Sequence, residues 1–280
     1  MVEKIKSNLK KIIYIIRKPV MSILPGQLAF SFVLSIIPIL AIIGIIGYSF
    51  SFSISNLSKF VSDTFPSSAS NLLLPLINGK GFDANIVIFL ISALLLASGG
   101  AFSIITTADI LYDIEQPHAL KKRIKSYIIT FMLITLMCFL IIVPAYGDYI
   151  INLLKDLKFI KGFSDIITTG YIIIKYPLTF IFIYFMIKLI YTISPDKKIE
   201  SKTVTAGSVF TTVLWVIVTQ IYSYYVGNVV HYDIFYGSLS NIIILLFWMY
   251  ILAYVFVVGL ALNAEKYRIS SNEQNNIERL

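Results

Sequence analysis

Apolar residues fill this 280-residue chain in long, nearly unbroken stretches. Six stretches reach the roughly 20 residues that a helix needs to cross a bilayer: residues 28–50, 85–111, 124–145, 166–193, 204–226 and 236–264. The last is long enough to tilt or to run past the bilayer. A lone span in lipid must satisfy its own backbone hydrogen bonds, so each is predicted to be an α-helix. None alternates as the strands of a membrane barrel do. The pattern predicts an all-α integral membrane protein with six transmembrane helices.

The segments outside the spans carry helical periodicity of their own. Ile5, Leu9, Ile12, Ile13, Ile16 and Val20 recur at helical spacing with lysines between them. That predicts an N-terminal amphipathic helix lying on an anionic membrane surface. A signal peptide fits less well, because the next apolar run is span-length and no small-residue cleavage site follows. The first outer loop, residues 51–83, has apolar positions at Ile54, Leu57, Phe60 and Val61, and again at Leu72, Leu73, Leu76 and Ile77. Two short amphipathic helices are expected there, the second begun or kinked by Pro66 and Pro75. Residues 147–165 mix lysine and aspartate and are expected to form a hydrated cap. The chain then divides into a cytoplasmic amphipathic segment (1–24), one six-helix membrane domain (25–267) and a polar cytoplasmic tail (268–280).

Composition agrees: 58% of residues are hydrophobic and 14% charged, whereas soluble domains carry about 25% charged residues. The net charge of +8 takes its meaning from the topology. Sixteen Lys and Arg residues fall in the N-terminal segment, the second and fourth loops and the tail, against five in the first, third and fifth loops. Cytoplasmic loops are the basic ones, so both termini are expected in the cytoplasm. The charge is thereby accounted for without nucleic-acid binding.

Chemistry is sparse. Cys138 is the single cysteine and cannot form an intramolecular disulfide; His118 and His231 lie far apart. No His/Cys spacing suits a metal. No paired carboxylates, nucleophile elbow or phosphate-cradling glycine loop is present. Neither an enzyme activity nor a cofactor is expected.

The informative positions are polar residues inside spans, which are costly in lipid and usually face protein or water. Gln27, Ser31, Ser35 and Pro38 share a face of the first span. Ser92, Gly99, Ser103 and Thr106 share one of the second, with Asp109 a turn on. Ser208, Thr212, Trp215, Thr219 and Tyr222 stripe the fifth, and Asn241, Trp248, Gly259 and Asn263 the sixth. Two explanations fit. Small and hydroxylated residues let helices approach closely and hydrogen-bond across the contact. Alternatively the first, second, fifth and sixth spans enclose a polar groove lined by Gln27, Ser31, Ser35, Ser103, Thr106, Asp109, Thr212, Trp215, Thr219, Tyr222, Asn241 and Asn263.

The fifth and sixth spans also carry a resemblance. Gly207, Trp215, Tyr224-Tyr225, Tyr232, the run Tyr236-Gly237-Ser238-Leu239, then Trp248, Tyr250, Gly259 and Asn263 resemble the C-terminal half of the YihY/BrkB membrane protein family. "LAFSFVLSIIPIL", "ASGGAFSIITTADILYD" and "SPDKK" are similar to its earlier elements. The chain departs from the family pattern at Asp109, where Asn is common, and at Ala261, where an acid is frequent. The resemblance implies six spans, cytoplasmic termini and a bacterial plasma membrane. Family members have carried a ribonuclease name regarded as a misassignment and a virulence-factor name, and some have been linked to envelope lipid traffic. The expected role is translocation of a lipid or envelope component through the polar groove. The rival is a non-transporting scaffold for envelope-assembly partners. Membrane lipids are the expected partners.

Overall fold

The structure, a computed structural model, describes residues 12–49, 86–114, 119–156, 164–228 and 239–277. Six long helices account for nearly all of them: α1 (Leu24–Ser49), α2 (Ile86–Leu111), α3 (Ala119–Asp156), α4 (Ser164–Ile193), α5 (Thr205–Asn228) and α6 (Ser240–Ile277). Each contains a stretch long and apolar enough to cross a membrane. No strand occurs among the described residues. The chain is an all-α integral membrane protein.

The helices overrun the apolar limits at two places. α3 continues past Pro144 to Asp156, into the stretch expected as a hydrated cap, and α6 continues to Ile277, through most of the expected tail. Hydropathy marks where lipid ends, whereas helix propensity decides where the helix ends. About half of the residues after each apolar run are Leu, Ile, Lys, Glu, Gln or Arg, most of which continue a helix readily, and no proline interrupts them. Pro38 and Pro177 lie inside α1 and α4. The expected first-loop helices lie outside the described residues, as do Tyr236, Gly237 and Ser238.

Consecutive helices pack side by side and α6 returns against α1, so the six close into a ring in chain order. α6 is the most buried span and also touches α2. Two apolar cores fill the ring. The first lies at the end carrying most of the basic residues, hereafter the basic end. It joins Ile15 and Met21 to Leu28 of α1, Ile104 and Ile105 of α2, Tyr191 of α4 and Phe256 of α6. The second core, further along, draws its buried residues from α1, α2, α3 and α6 with only Tyr222 from α5 and none from α4, while Trp215, Val218 and Val226 of α5 pack against it partly buried.

The N-terminal segment departs from its expected geometry. Residues 12–16 make a helical turn, the chain bends at Arg17 and Lys18, and Pro19–Ser22 forms a 3₁₀ turn leading into α1. The bend resets the helical repeat. Ile15 and Met21 are buried at 1% and 2% exposure, while Ile13, Ile16 and Val20 stay exposed. The described part of this segment is therefore strapped into the bundle on one side and apolar toward lipid on the other. Lys18 Nζ pairs with Glu265 of α6 at 3.3 Å.

Candidate functional site

α2 ends in a way that positions its last acid. Asp113 adopts φ 58°, the left-handed conformation that Asp tolerates better than most residues. Ile114 N–H then reaches back to the Asp109 carbonyl at 2.9 Å and Asp113 N–H to that of Ile110 at 3.3 Å. This pair of bonds is a Schellman stop, and it satisfies carbonyls that the helix end would orphan. It fixes Asp109, 3% exposed, beside the start of α3 and the loop from α4 to α5.

Three lysines crowd that start of α3, where the helix dipole disfavours cations and no acid occupies the first turn. Acids from elsewhere supply the missing charge. Lys122 Nζ lies 2.9 Å from Asp109 Oδ2, as a charge pair rather than an aligned hydrogen bond. Asp109 Oδ1 accepts from Asp196 N–H at 2.9 Å. Asp196 Oδ1 takes Lys121 at 3.0 Å and Lys125 at 3.2 Å, and Lys125 also donates to the Pro195 carbonyl at 2.8 Å. Arg268 of α6 donates to the Leu111 carbonyl at 3.0 Å. The result is an ionic latch across α2, α3, α6 and the α4–α5 loop.

Burial alone would push the Asp196 carboxyl up, but hydrogen bonds and charge from Lys121 and Lys125 outweigh it and hold the group below its ordinary value. A carboxyl depressed on folding stabilises the fold above its unfolded value, near 3.8, and that contribution fades as pH falls through the lower folded value. Acidification below about pH 4 is thus expected to loosen the α3–loop junction before neutral-pH conditions show any effect. Protease cleavage within 194–203, followed against pH, measures it. Asp196→Asn, which lacks the titrating group, should flatten the profile.

Most of the polar stripes meet each other. On α1 and α2, the Ser31 and Ser103 hydroxyls lie 2.6 Å apart, and Gly100 N–H donates to Ser35 Oγ at 2.8 Å. On α5 and α6, Trp215 Nε1 donates to the Leu252 carbonyl at 2.9 Å and Tyr222 Oη to that of Ile244 at 2.7 Å. Gly207 N–H donates to Asn263 Oδ1 at 2.8 Å. Gly207 and Gly259 mark the crossing of α5 and α6, where a Cβ on Gly207 would meet the Gly259 carbonyl. Tyr191 of α4 completes the knot, donating to the Phe256 carbonyl at 2.7 Å with Thr211 Oγ1 at the same distance. These residues act as glue between helices.

The remaining groove residues are dispersed. Gln27 is exposed and shares its stripe with exposed Ile23, Phe30 and Leu34, so it faces out of the bundle. Thr106 and Thr212 bond the carbonyls of Phe102 and Ser208 in their own helices. Thr219 is half-buried and Trp248 buried. The Asn241 side chain lies outside the described residues. Asp109 belongs to the latch and lines no groove among them. Sequence reasoning missed Tyr191, Thr211, Asp196 and the latching roles of Lys122 and Lys125. Asp196 stood in the SPDKK element, and the lysines entered only as topology charges.

Beyond the latch the packing of α4 and α5 thins. None of the described residues 175–186 of α4 or 213–221 of α5 is buried. Thr219, Leu214, Phe182 and Met186 are only half-buried there. At the basic end the same two helices bury Ile187, Tyr191, Ser208, Thr211 and Thr212 completely. α4 and α5 are thus fully packed at one level and only partly at the next, where Trp215, Val218 and Val226 of α5 lean on the second core.

A family model described as Virulence factor BrkB matches residues 19–279. The chain belongs to that family. A Bacillus subtilis protein named ribonuclease-like, YfkH, is 26% identical over 243 residues, covering 85% of this chain and 87% of that one. A UPF0761 membrane protein of Haemophilus influenzae is 25% identical over 242 residues, covering 84% and 85%. No solved structure matches. Among the described residues, no three His, Cys, Asp or Glu side chains group as metal-assisted phosphodiester chemistry would need.

Proposed function

We propose that this BrkB-family protein sits in the bacterial plasma membrane with both termini in the cytoplasm and translocates a lipid or another amphipathic envelope component. The observation that carries the reading is the uneven seal. Packed, charge-latched helices close the basic end, whereas α4 and α5 are only partly buried one level further along. Closure at one end with opening at the other is what alternating access requires. The open level is apolar with few hydroxyls, which suits an amphipath better than a hydrophilic solute. The path then runs past Trp215 and Thr219 on α5, not between α1 and α2. The basic end faces the cytoplasm by the excess of lysine and arginine there. The chemistry involves no bond making, no cofactor and no nucleic acid.

A scaffold without transport is favoured by one observation, the polar stripes closed on each other. Proteoliposomes separate the two readings. The purified protein is expected to move a fluorescent phospholipid between leaflets faster than matched empty liposomes. Thr219→Trp, which fills the open level, should slow it about tenfold, or ~1.4 kcal/mol of barrier, while Ile217→Trp on the exposed face should not. Flipping at the empty-liposome rate across several lipid classes would leave the scaffold.

A further inference from the structure

A crevice of about 300 Å³ opens at the basic end, between the N-terminal strap, the start of α5 and the end of α6. Ile12 and Ile15 form one wall, Phe210 of α5 another, and Leu262 and Ile269 of α6 the third. Its volume is roughly ten times the ~30 Å³ share of one water in the liquid. Water gains little on such apolar walls, since it needs two to four polar partners. The surface around the mouth is also apolar: Ile13, Ile16, Val209 and Ile269 are all exposed. This surface belongs in lipid, not in water.

The mouth carries one uncompensated charge, and it is positive. Glu265 and Lys266 stand there. Glu265 is neutralised by Lys18, 3.3 Å away. Lys266 is exposed and has no acidic partner within 4 Å among the described residues. It sits at the end of the apolar run of α6, the level at which lysine snorkels to phospholipid headgroups. A cation over an apolar slot at that depth matches a phosphate above an acyl chain.

We infer that this crevice is a binding site for an anionic phospholipid of the leaflet at the basic end, with an acyl chain between the strap and α5/α6 and the phosphate on Lys266. The site holds its lipid between the N-terminal strap and the Gly207–Gly259 crossing, so occupancy ties the strap to the bundle. The inference rests on membrane insertion alone and is independent of the transport reading, whose path lies at the other level of α4 and α5.

Photocrosslinking tests it. The full-length protein is placed in nanodiscs containing phosphatidylglycerol or phosphatidylcholine with a diazirine in one acyl chain, and labelled peptides are mapped by mass spectrometry. Labelling is expected to concentrate on residues 206–210 and 262–269, with phosphatidylglycerol favoured. Ala206→Trp, which fills the crevice from its α5 wall, should remove that label while leaving the label on exposed Ile181 and Phe185 of α4. Lys266→Glu changes an exposed side chain without touching the packing. It should cost the phosphatidylglycerol preference at least about fivefold, the effect of losing one cation near a headgroup, and it carries the test if the tryptophan variant fails to fold. Label spread evenly over all lipid-facing helices would overturn the site. So would a preference unmoved by Lys266→Glu, or a crevice filled by a second protein copy and closed to lipid. Loss of lipid flipping with labelling intact would strike the transport reading and leave this one standing.

Discussion

Gly259→Val is expected to prevent the bundle from assembling, with membrane abundance falling to a small fraction of the parent's. A Cβ on Gly259 would meet Thr211 Oγ1, would lie 2.7 Å from Tyr191 Oη and 2.9 Å from the Gly207 carbonyl. None of these can retreat cheaply. The carbonyl belongs to a helix, and Tyr191 and Thr211 are 0% exposed and hydrogen-bonded to each other. Overpacking a dense core costs about 1–3 kcal/mol, and each buried polar group left unpaired adds about 1–3. Together they consume much of a stability that is only ~5–15 kcal/mol in total. Gly26→Ala and Gly99→Ala are the controls, since a Cβ at either position meets nothing within 4 Å. Both should express normally and unfold at or above the parent temperature in detergent. A Gly259→Val protein that unfolds with them would mean that α5 and α6 do not cross this closely.

The same crossing shows what the sequence could and could not reveal. Gly259 and Asn263 stood out because small and polar residues are conspicuous in apolar spans, and Gly207 stood out only through the family resemblance. A polar stripe shows only that its residues avoid lipid, and both glue and groove satisfy that demand. The difference is made by partners far away in the chain: Ser31 with Ser103, 72 residues on, and Gly207 with Asn263, 56 residues on. Gln27 fits neither reading, because four-residue steps drift around a helix of 3.6 residues per turn. It ends on the stripe of Ile23 and Leu34 while Ser35 turns inward. Spans were legible because lipid imposes one length on all of them. Helix ends at Asp156 and Ile277 were not, since no such constraint acts outside the bilayer. The latch was hidden for a further reason. Lysines near a membrane are expected on topological grounds alone, so a half-buried Lys122 held against a buried acid looks no different in sequence from an exposed Lys121.

That burial is what makes Asp109 the second sensitive position. Asp109→Leu leaves the Lys122 ammonium, on a side chain 15% exposed, without its counter-charge, and leaves Asp196 N–H without its acceptor. Breaking a buried pair from one side typically costs about 3–5 kcal/mol, because an uncompensated charge stays behind. A large drop in unfolding temperature is expected. Asp109→Leu combined with Lys122→Met should recover most of it, since an apolar pair of similar volume often replaces a buried ion pair without loss. Asp109→Asn is the informative intermediate. Its amide oxygen can still accept from Asp196 N–H and its dipole keeps a polar group beside the Lys122 ammonium, neither of which Leu offers. The Asn variant should therefore lose less stability than the Leu variant. The latch at Asp196 must then hold the seal, so the Asn variant should also be the more acid-sensitive protein, its junction opening at higher pH than the parent's. Equal stability of the Leu variant and the parent would show that Asp109 and Lys122 do not pair in the membrane. Equal loss in the Asn and Leu variants would show that charge, not the bond to the loop, is what Asp109 supplies.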